Sequence, residues 1–283
     1  MTASGGHAGG AGELVSLTAD HPGFSDPAYR RRRNEIARLA LEYRAGDPVP
    51  AVDYTPAEHE VWREVWRNLD PLHARYACRE YLEGAASVSL PRDRIPQLAE
   101  VNATIEPVHG FRMLPVAGLV SARTFLAYLG RGAFLSTQYM RHHSVPLYTP
   151  EPDVVHELVG HAATFAHAGF ARLNRTFGEA VLRAGDDHEA VEAVGRLYWF
   201  TLEFGVLRER DGLRVYGAGL LSSFGELGRF ETKADLQPFD AARVARTPYD
   251  PTSYQAVLYV APGFAELARE IEAFLARRIP RRD

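Results

Sequence analysis

Tyr148-Thr149-Pro150-Glu151-Pro152-Asp153-Val154-Val155-His156-Glu157-Leu158-Val159-Gly160-His161 places two histidines and a carboxylate within six residues, behind a loop stiffened by two prolines. Zinc proteases set the histidines of their helix motif at i and i+4. Here the step is 161 − 156 = 5, which on a regular helix of 3.6 residues per turn swings the second side chain about 140° away from the first. Both rings meet one ion only where the helix distorts or ends, and Gly160 is a plausible place for that.

A third ligand is offered downstream. In Tyr198-Trp199-Phe200-Thr201-Leu202-Glu203-Phe204-Gly205, Glu203 is the only charge in an aromatic, apolar run, and a buried carboxylate left unpaired costs several kcal/mol. Two histidines and one carboxylate on one face of an octahedron leave open positions, the donor set of Fe(II) enzymes that activate dioxygen. The same three residues also suit a zinc hydrolase with Glu157 as general base. On spacing alone a structural histidine pair and a Glu paired with Arg are the commoner cases, so the residues leave iron, zinc and structure open.

The surroundings indicate a mainly α, single-domain protein with a few short strands. Asp26-Pro27 gives an N-cap followed by a proline at the first helical position, and Ile36, Leu39, Ala40 and Tyr43 then recur at helical spacing up to Gly46. Thr55-Pro56-Ala57-Glu58 has the form of a capping box ahead of Trp62, Val65, Trp66 and Leu69. Ser121 caps a helix through Phe125, Leu126 and Leu129, Gly130 and Gly132 leaving its extension to Leu135 open. Ala190 to Val206 is free of proline and apolar nearly all round, which predicts one central buried helix. Phe264 to Leu275, closed by Pro280, is the cleanest amphipathic pattern. Gly212–Tyr216 and Ala256–Val260 are the best strand candidates.

The 283 residues carry 32 Lys+Arg against 36 Asp+Glu, a net charge of -4 with no extended basic run, which gives no footprint for nucleic acid or for a membrane surface. Arg30-Arg31-Arg32-Arg33 reads as a solvated helix face. The single cysteine, Cys78, excludes an internal disulfide and fits a reducing, cytoplasmic setting. Residues 1–19 read as a flexible tail before a catalytic domain over 20–283, and no stretch reaches the ~20 apolar residues of a membrane helix.

Taken together, these segments resemble the catalytic domain of the aromatic amino acid hydroxylases. The likeness begins at Asp20-His21-Pro22-Gly23-Phe24. It continues through Ile95-Pro96-Gln97-Leu98, Leu114 to Leu119, Thr137-Gln138-Tyr139-Met140-Arg141-His142, the Tyr148 to His161 block, Tyr198 to Gly205 and Tyr216 to Glu226. The resemblance implies His156, His161 and Glu203 as ligands of Fe(II), a tetrahydropterin cofactor and dioxygen as co-substrate. Arg141 would take the substrate carboxylate, with Thr149, Asp153 and Ser222 nearby, and Pro152 and Trp199 would pack on the substrate ring. The pterin would stack on Phe125 and lie against Gly118, Leu119, Val120 and Tyr198, with Glu157 at its reactive edge. Glu157, Tyr198 and Trp199 are thus the residues nearest the chemistry.

Trp199, where tryptophan hydroxylases carry Phe, points to a single-ring substrate, with phenylalanine favoured over tyrosine and tryptophan. The chain departs from animal phenylalanine hydroxylases at Leu135, in place of a His, and at Ala122, in place of a Ser. Tyr249-Asp250-Pro251-Thr252 falls in the loop that separates phenylalanine from tyrosine specificity, so the preferred ring and the para or meta outcome stay open. The expected form is a monomer that lacks the regulatory domain and oligomerisation helix of the animal enzymes and has only small-molecule partners. A non-catalytic pterin- or amino-acid-binding relative is the remaining rival to the hydroxylase and the zinc hydrolase.

Overall fold

A computed structural model of the chain describes residues 14–251 and 253–280. Of the expected tail, residues 1–13 lie outside the described part, as does Thr252, while the Leu14 and Val15 amides donate to Asn34 Oδ1.

The described residues are mainly helical, as expected. Helix α1 (Pro27–Glu42) starts where Asp26 accepts from the amides of Ala28 and Tyr29. Helix α2 (Pro56–Tyr76) starts at the Thr55–Glu58 capping box and buries Trp62, Val65, Trp66 and Leu69. Helices α3 (Arg79–Val88) and α4 (Leu98–His109) follow. Strand β1 (Arg112–Pro115) then pairs in parallel with β2 (Ala133–Ser136). Parallel neighbours need a crossover, and α5 (Ala122–Leu129), capped by Ser121, supplies it. Leu135, the open end of the expected helix, therefore lies in a strand.

The histidine segment, His156–Ala162, winds as a π-helix into the short α6 (Ala163–Phe165). Helix α7 (Ala168–Ala184) packs on α5 and on α8 (His188–Tyr198). The long helix expected over Ala190 to Val206 is interrupted: α8 gives way to a second π segment, Trp199–Glu203, and Val206 opens strand β3 (Val206–Glu209). Beyond it come β4 (Gly212–Val215), the single-turn helices α9 (Ala218–Leu221), α10 (Phe224–Leu227) and α11 (Phe230–Lys233), β5 (Asp235–Pro238), α12 (Ala241–Val244), β6 (Val257–Ala261) and α13 (Phe264–Arg278). The four strands form one sheet in the order β4-β3-β6-β5, antiparallel only between β3 and β4.

One reading of the charge pattern is corrected. Arg33 is not on a solvated face: only 2% of it is exposed, and it pairs with Glu151 at 2.9 Å while its guanidinium lies 3.2 Å from the centre of the Tyr139 ring. The apolar stripe of α1 turns inward at Ile36 and Ala37, and Arg33 shares that side, tying α1 to the loop ahead of the histidines.

Candidate active site

Both π segments bring side chains into one cavity of about 740 Å³, within the range of small-molecule sites. Winding with i→i+5 hydrogen bonds places residues five apart on the same side, which overcomes the 140° divergence of a regular helix. His156 Nε2 and His161 Nε2 lie 3.1 Å apart, and Glu203 brings Oε1 to 3.1 Å from His161 and Oε2 to 3.5 Å from His156. The distortion falls beside Gly160: a Cβ there would lie 2.8 Å from the carbonyl oxygen of Ala218, so only glycine lets the segment pack against α9.

The donor set fits a metal ion. Ser222 Oγ donates to Ala218 O at 2.8 Å, so toward His156 Nδ1, 3.0 Å away, it acts as acceptor; the ring proton sits on Nδ1 and the Nε2 lone pair faces His161 and Glu203. Bonds of about 2.1 Å at right angles put neighbouring donors about 3 Å apart, close to the spacing found here. Burial pushes His156 down to about 4, so at neutral pH it is an unprotonated ligand. Burial also acts to raise Glu203, yet the two imidazoles outweigh it and hold the carboxyl below its ordinary value. Ser222, expected beside the substrate, therefore serves His156, and Ser222→Ala is expected to weaken metal affinity roughly 10–100-fold while the fold is kept. Equilibrium dialysis against Fe(II) under anaerobic conditions measures this.

Arg141 lines the cavity, and its own support is buried behind it. Asp153, with no exposed surface, accepts from Arg141 Nε at 2.9 Å, Nη2 at 2.8 Å and the Arg141 amide at 2.9 Å, and its Oδ1 also accepts from the His156 amide at 3.2 Å. One edge of the guanidinium is thus committed to Asp153, and the Nη1/Nη2 end is what it can offer a ligand carboxylate. Thr149 and Pro152 line the same end, the Thr149 hydroxyl donating to Glu151 O and the Pro152 carbonyl accepting from the Tyr139 hydroxyl.

Glu157 lies deeper. Burial raises its carboxyl to about 8 even though Thr137 donates to Oε1 from its amide at 3.1 Å and its hydroxyl at 2.9 Å. The unfolded carboxyl loses its proton near pH 4.5 and the folded one holds it to about 8, so over that interval the folded chain binds the extra proton and stability falls as pH rises. At about 1.4 kcal/mol per pH unit the fall amounts to several kcal/mol. Denaturant titrations of metal-free protein at pH 5 and pH 8 are expected to show it in the wild type and to show less of it in Glu157→Gln.

On the other side of the cavity, Phe125 sits edge-on to Phe134 and Tyr198. Gly118, Leu119 and Val120 border it, with Leu119 75% exposed, and Ala122 and Leu135 line the wall. The Tyr198 hydroxyl faces Asn174 Oδ1 at 3.3 Å, so the residue presents its ring to the cavity. Trp199 is stacked on Tyr249 at 4.3 Å and 15°, lies against Phe204, and donates Nε1–H to Gln255 Oε1 at 2.9 Å. Thr137, Asn174, Tyr249 and Gln255 were not singled out as supports in the sequence; Thr137 and Tyr249 lay inside quoted family segments, and Asn174 and Gln255 carried no motif.

A family model for biopterin-dependent aromatic amino acid hydroxylases matches residues 13–282. Phenylalanine-4-hydroxylase of Rattus norvegicus is 43% identical over 274 residues, which cover 94% of this chain and 59% of that protein. Tyrosine 3-monooxygenase of Homo sapiens is also 43% identical, over 92% of this chain and 50% of its own length. The chain therefore spans between half and three-fifths of these two relatives. Phenylalanine hydroxylase of Chromobacterium violaceum, in a structure with bound iron(III) and oxidized 7,8-dihydrobiopterin, superposes with a TM-score of 0.76 at 28% identity, covering 85% of this chain and 90% of that one. No described helix is long and apolar enough to cross a membrane. With an iron-type His/His/Glu cluster in place and a family match over nearly its whole length, the chain belongs to the biopterin-dependent aromatic amino acid hydroxylases.

Proposed function

We propose that the chain hydroxylates the ring of L-phenylalanine to tyrosine, using ferrous iron, a tetrahydropterin and dioxygen. The observation that carries this is the convergence of His156, His161 and Glu203 in a cavity that is also lined by Phe125, Tyr198 and Trp199 and by the guanidinium of Arg141. Iron and pterin together supply the oxygen-activating chemistry when bound. The residues of the chain bind, orient and exclude water.

In this reading Arg141 anchors the amino acid carboxylate through the end of its guanidinium that Asp153 leaves open, with Thr149 and Pro152 beside it. That fixes the ring against Trp199. Phe125 and Tyr198 flank the pterin, the Gly118 to Val120 segment closes over it, and Glu157 faces its polar edge. Clamping both partners in an apolar enclosure substitutes positioning for a chance encounter and keeps the oxidant from being wasted on water.

Phenylalanine is favoured over tryptophan because Trp199 is fixed on three sides, by Tyr249, Phe204 and Gln255, and so cannot yield space to a fused ring. Parallel turnover on phenylalanine, tyrosine and tryptophan with Fe(II) and tetrahydrobiopterin, followed by separation of the tyrosine isomers, tests the reading. Para-tyrosine formed in step with pterin oxidation is the expected result. Faster turnover of tyrosine or tryptophan would overturn the substrate assignment, and product formed without dioxygen would overturn the reaction class.

A further inference from the structure

A second constellation of metal-binding side chains lies away from the cavity. Asp26, His142 and His143 present ligand atoms that all fall within 4.8 Å of one another, and none of the three lines the cavity. They come from two remote stretches of chain: Asp26 caps α1, while the histidines directly follow Arg141.

Two of the three are already oriented by their own partners. Asp26 Oδ1 accepts from the amides of Ala28 at 2.8 Å and Tyr29 at 3.0 Å, which turns Oδ2 toward His142 Nε2 at 3.2 Å. His142 is buried, held edge-on by the Tyr29 ring at 4.9 Å, and its Nδ1 is 2.7 Å from Ser144 Oγ, with the Ser144 amide at 3.3 Å. The amide donates to Nδ1, which places the ring proton on Nε2 toward Asp26 Oδ2; an ion at Nε2 displaces it, and the proton then moves to Nδ1, where the Ser144 hydroxyl accepts it and the longer amide bond is given up. A simple His–Asp pair would be complete at this point. His143 adds a second imidazole, its ring 4.4 Å from that of His142, and leaves one side open to solvent for water ligands.

We infer that Asp26, His142 and His143 bind one divalent transition-metal ion of the zinc, nickel or cobalt class. Two neutral imidazoles and one carboxylate are the donors such ions prefer, and hard calcium or magnesium would not select them. The ion cross-links the start of α1 to the segment carrying Arg141, so its occupancy stabilises the fold. The inference is independent of the reaction proposed for the cavity.

Equilibrium dialysis of the full metal-free chain against zinc chloride tests it. Wild type is expected to take up two equivalents, one at each cluster, and both Asp26→Asn, which keeps a capping side chain, and His143→Ala, which changes an exposed residue, are expected to take up one. Glu203→Ala separates the sites: it should retain the equivalent that His143→Ala removes, and saturating zinc should raise its melting temperature by about 5 °C, a rise lost in Glu203→Ala/His143→Ala. A single equivalent in wild type that His143→Ala leaves in place overturns the inference. So does a second equivalent that survives both Asp26→Asn and His143→Ala. Absence of the Glu203-dependent equivalent alone would count against the cavity metal and not against this one.

Discussion

Glu203→Ala is expected to abolish iron retention and, with it, ring hydroxylation, with a loss well beyond the roughly 10–100-fold that follows removal of an outer-shell partner. Glu203 is the one anionic donor of the three, and it is 9% exposed. Without it, two neutral imidazoles face a dication in a largely dehydrated pocket, where the missing charge is felt most strongly. Glu203→Gln separates charge from volume, because the amide fills the space and keeps an oxygen donor but carries no charge. Iron content per chain after gel filtration, read beside pterin-dependent product formation, distinguishes the outcomes. Glu203→Ala with full iron occupancy would remove Glu203 from the ligand set.

Arg141→Ala should produce the largest stability loss of any single change at the site. It strips the partner from Asp153, which has no exposed surface, and breaking a buried ion pair from one side costs about 3–5 kcal/mol because a charge is left uncompensated. Burial by itself acts to raise the Asp153 carboxyl, and only Arg141 and the surrounding donors hold it below its ordinary value. Deleting the guanidinium therefore pushes Asp153 toward the protonated form and disturbs its bond to the His156 amide, so the damage reaches the metal ligands. A fall in melting temperature of roughly 10 °C follows for a chain of this size. Arg141→Lys keeps a cation but loses the planar fork, so it should recover much of the stability while the KM for the amino acid stays high. Equal stability of Arg141→Ala and wild type in urea would show that Asp153 does not depend on Arg141.

The helix starts were readable because a cap is a local signal. Asp26, Thr55 and Ser121 each sit where a side-chain oxygen meets amides within three residues, and no distant contact is needed to see it. The π windings were not readable in the same way. The step of five between His156 and His161 announced a distortion, but its form depends on α9 pressing against Gly160, a contact between residues 58 positions apart in sequence (160 and 218). The same holds for Trp199–Glu203, where an unbroken apolar run concealed the change from α8 to a π segment and then to β3. Strands β1, β2, β3 and β5 are four residues each, too short for a period of two to stand out, and their partners are remote. Arg33 was misread because four consecutive arginines look alike until one of them finds Glu151 across the fold. The three candidate ligands were legible from the spacing of the histidines and the lone charge at Glu203, whereas the choice of iron and the role of Arg141 came from resemblance. The groups that hold them, Ser222 on His156 and Asp153 on Arg141, became visible only once the chain was folded.

The single turn α9 has a part in the centre that its length conceals. On one side its Ala218 touches the backbone of Gly160, between the two histidines; on the other, a Cβ at Gly217 would run into the Glu203 carbonyl oxygen, so that backbone too is met directly. Bare main chain thus acts as a shim between the two segments that bear the ligands. The gap across which an ion is gripped is gauged by peptide groups, which cannot change rotamer, and side-chain replacements on the cavity walls can reshape what is bound without altering how wide the grip is.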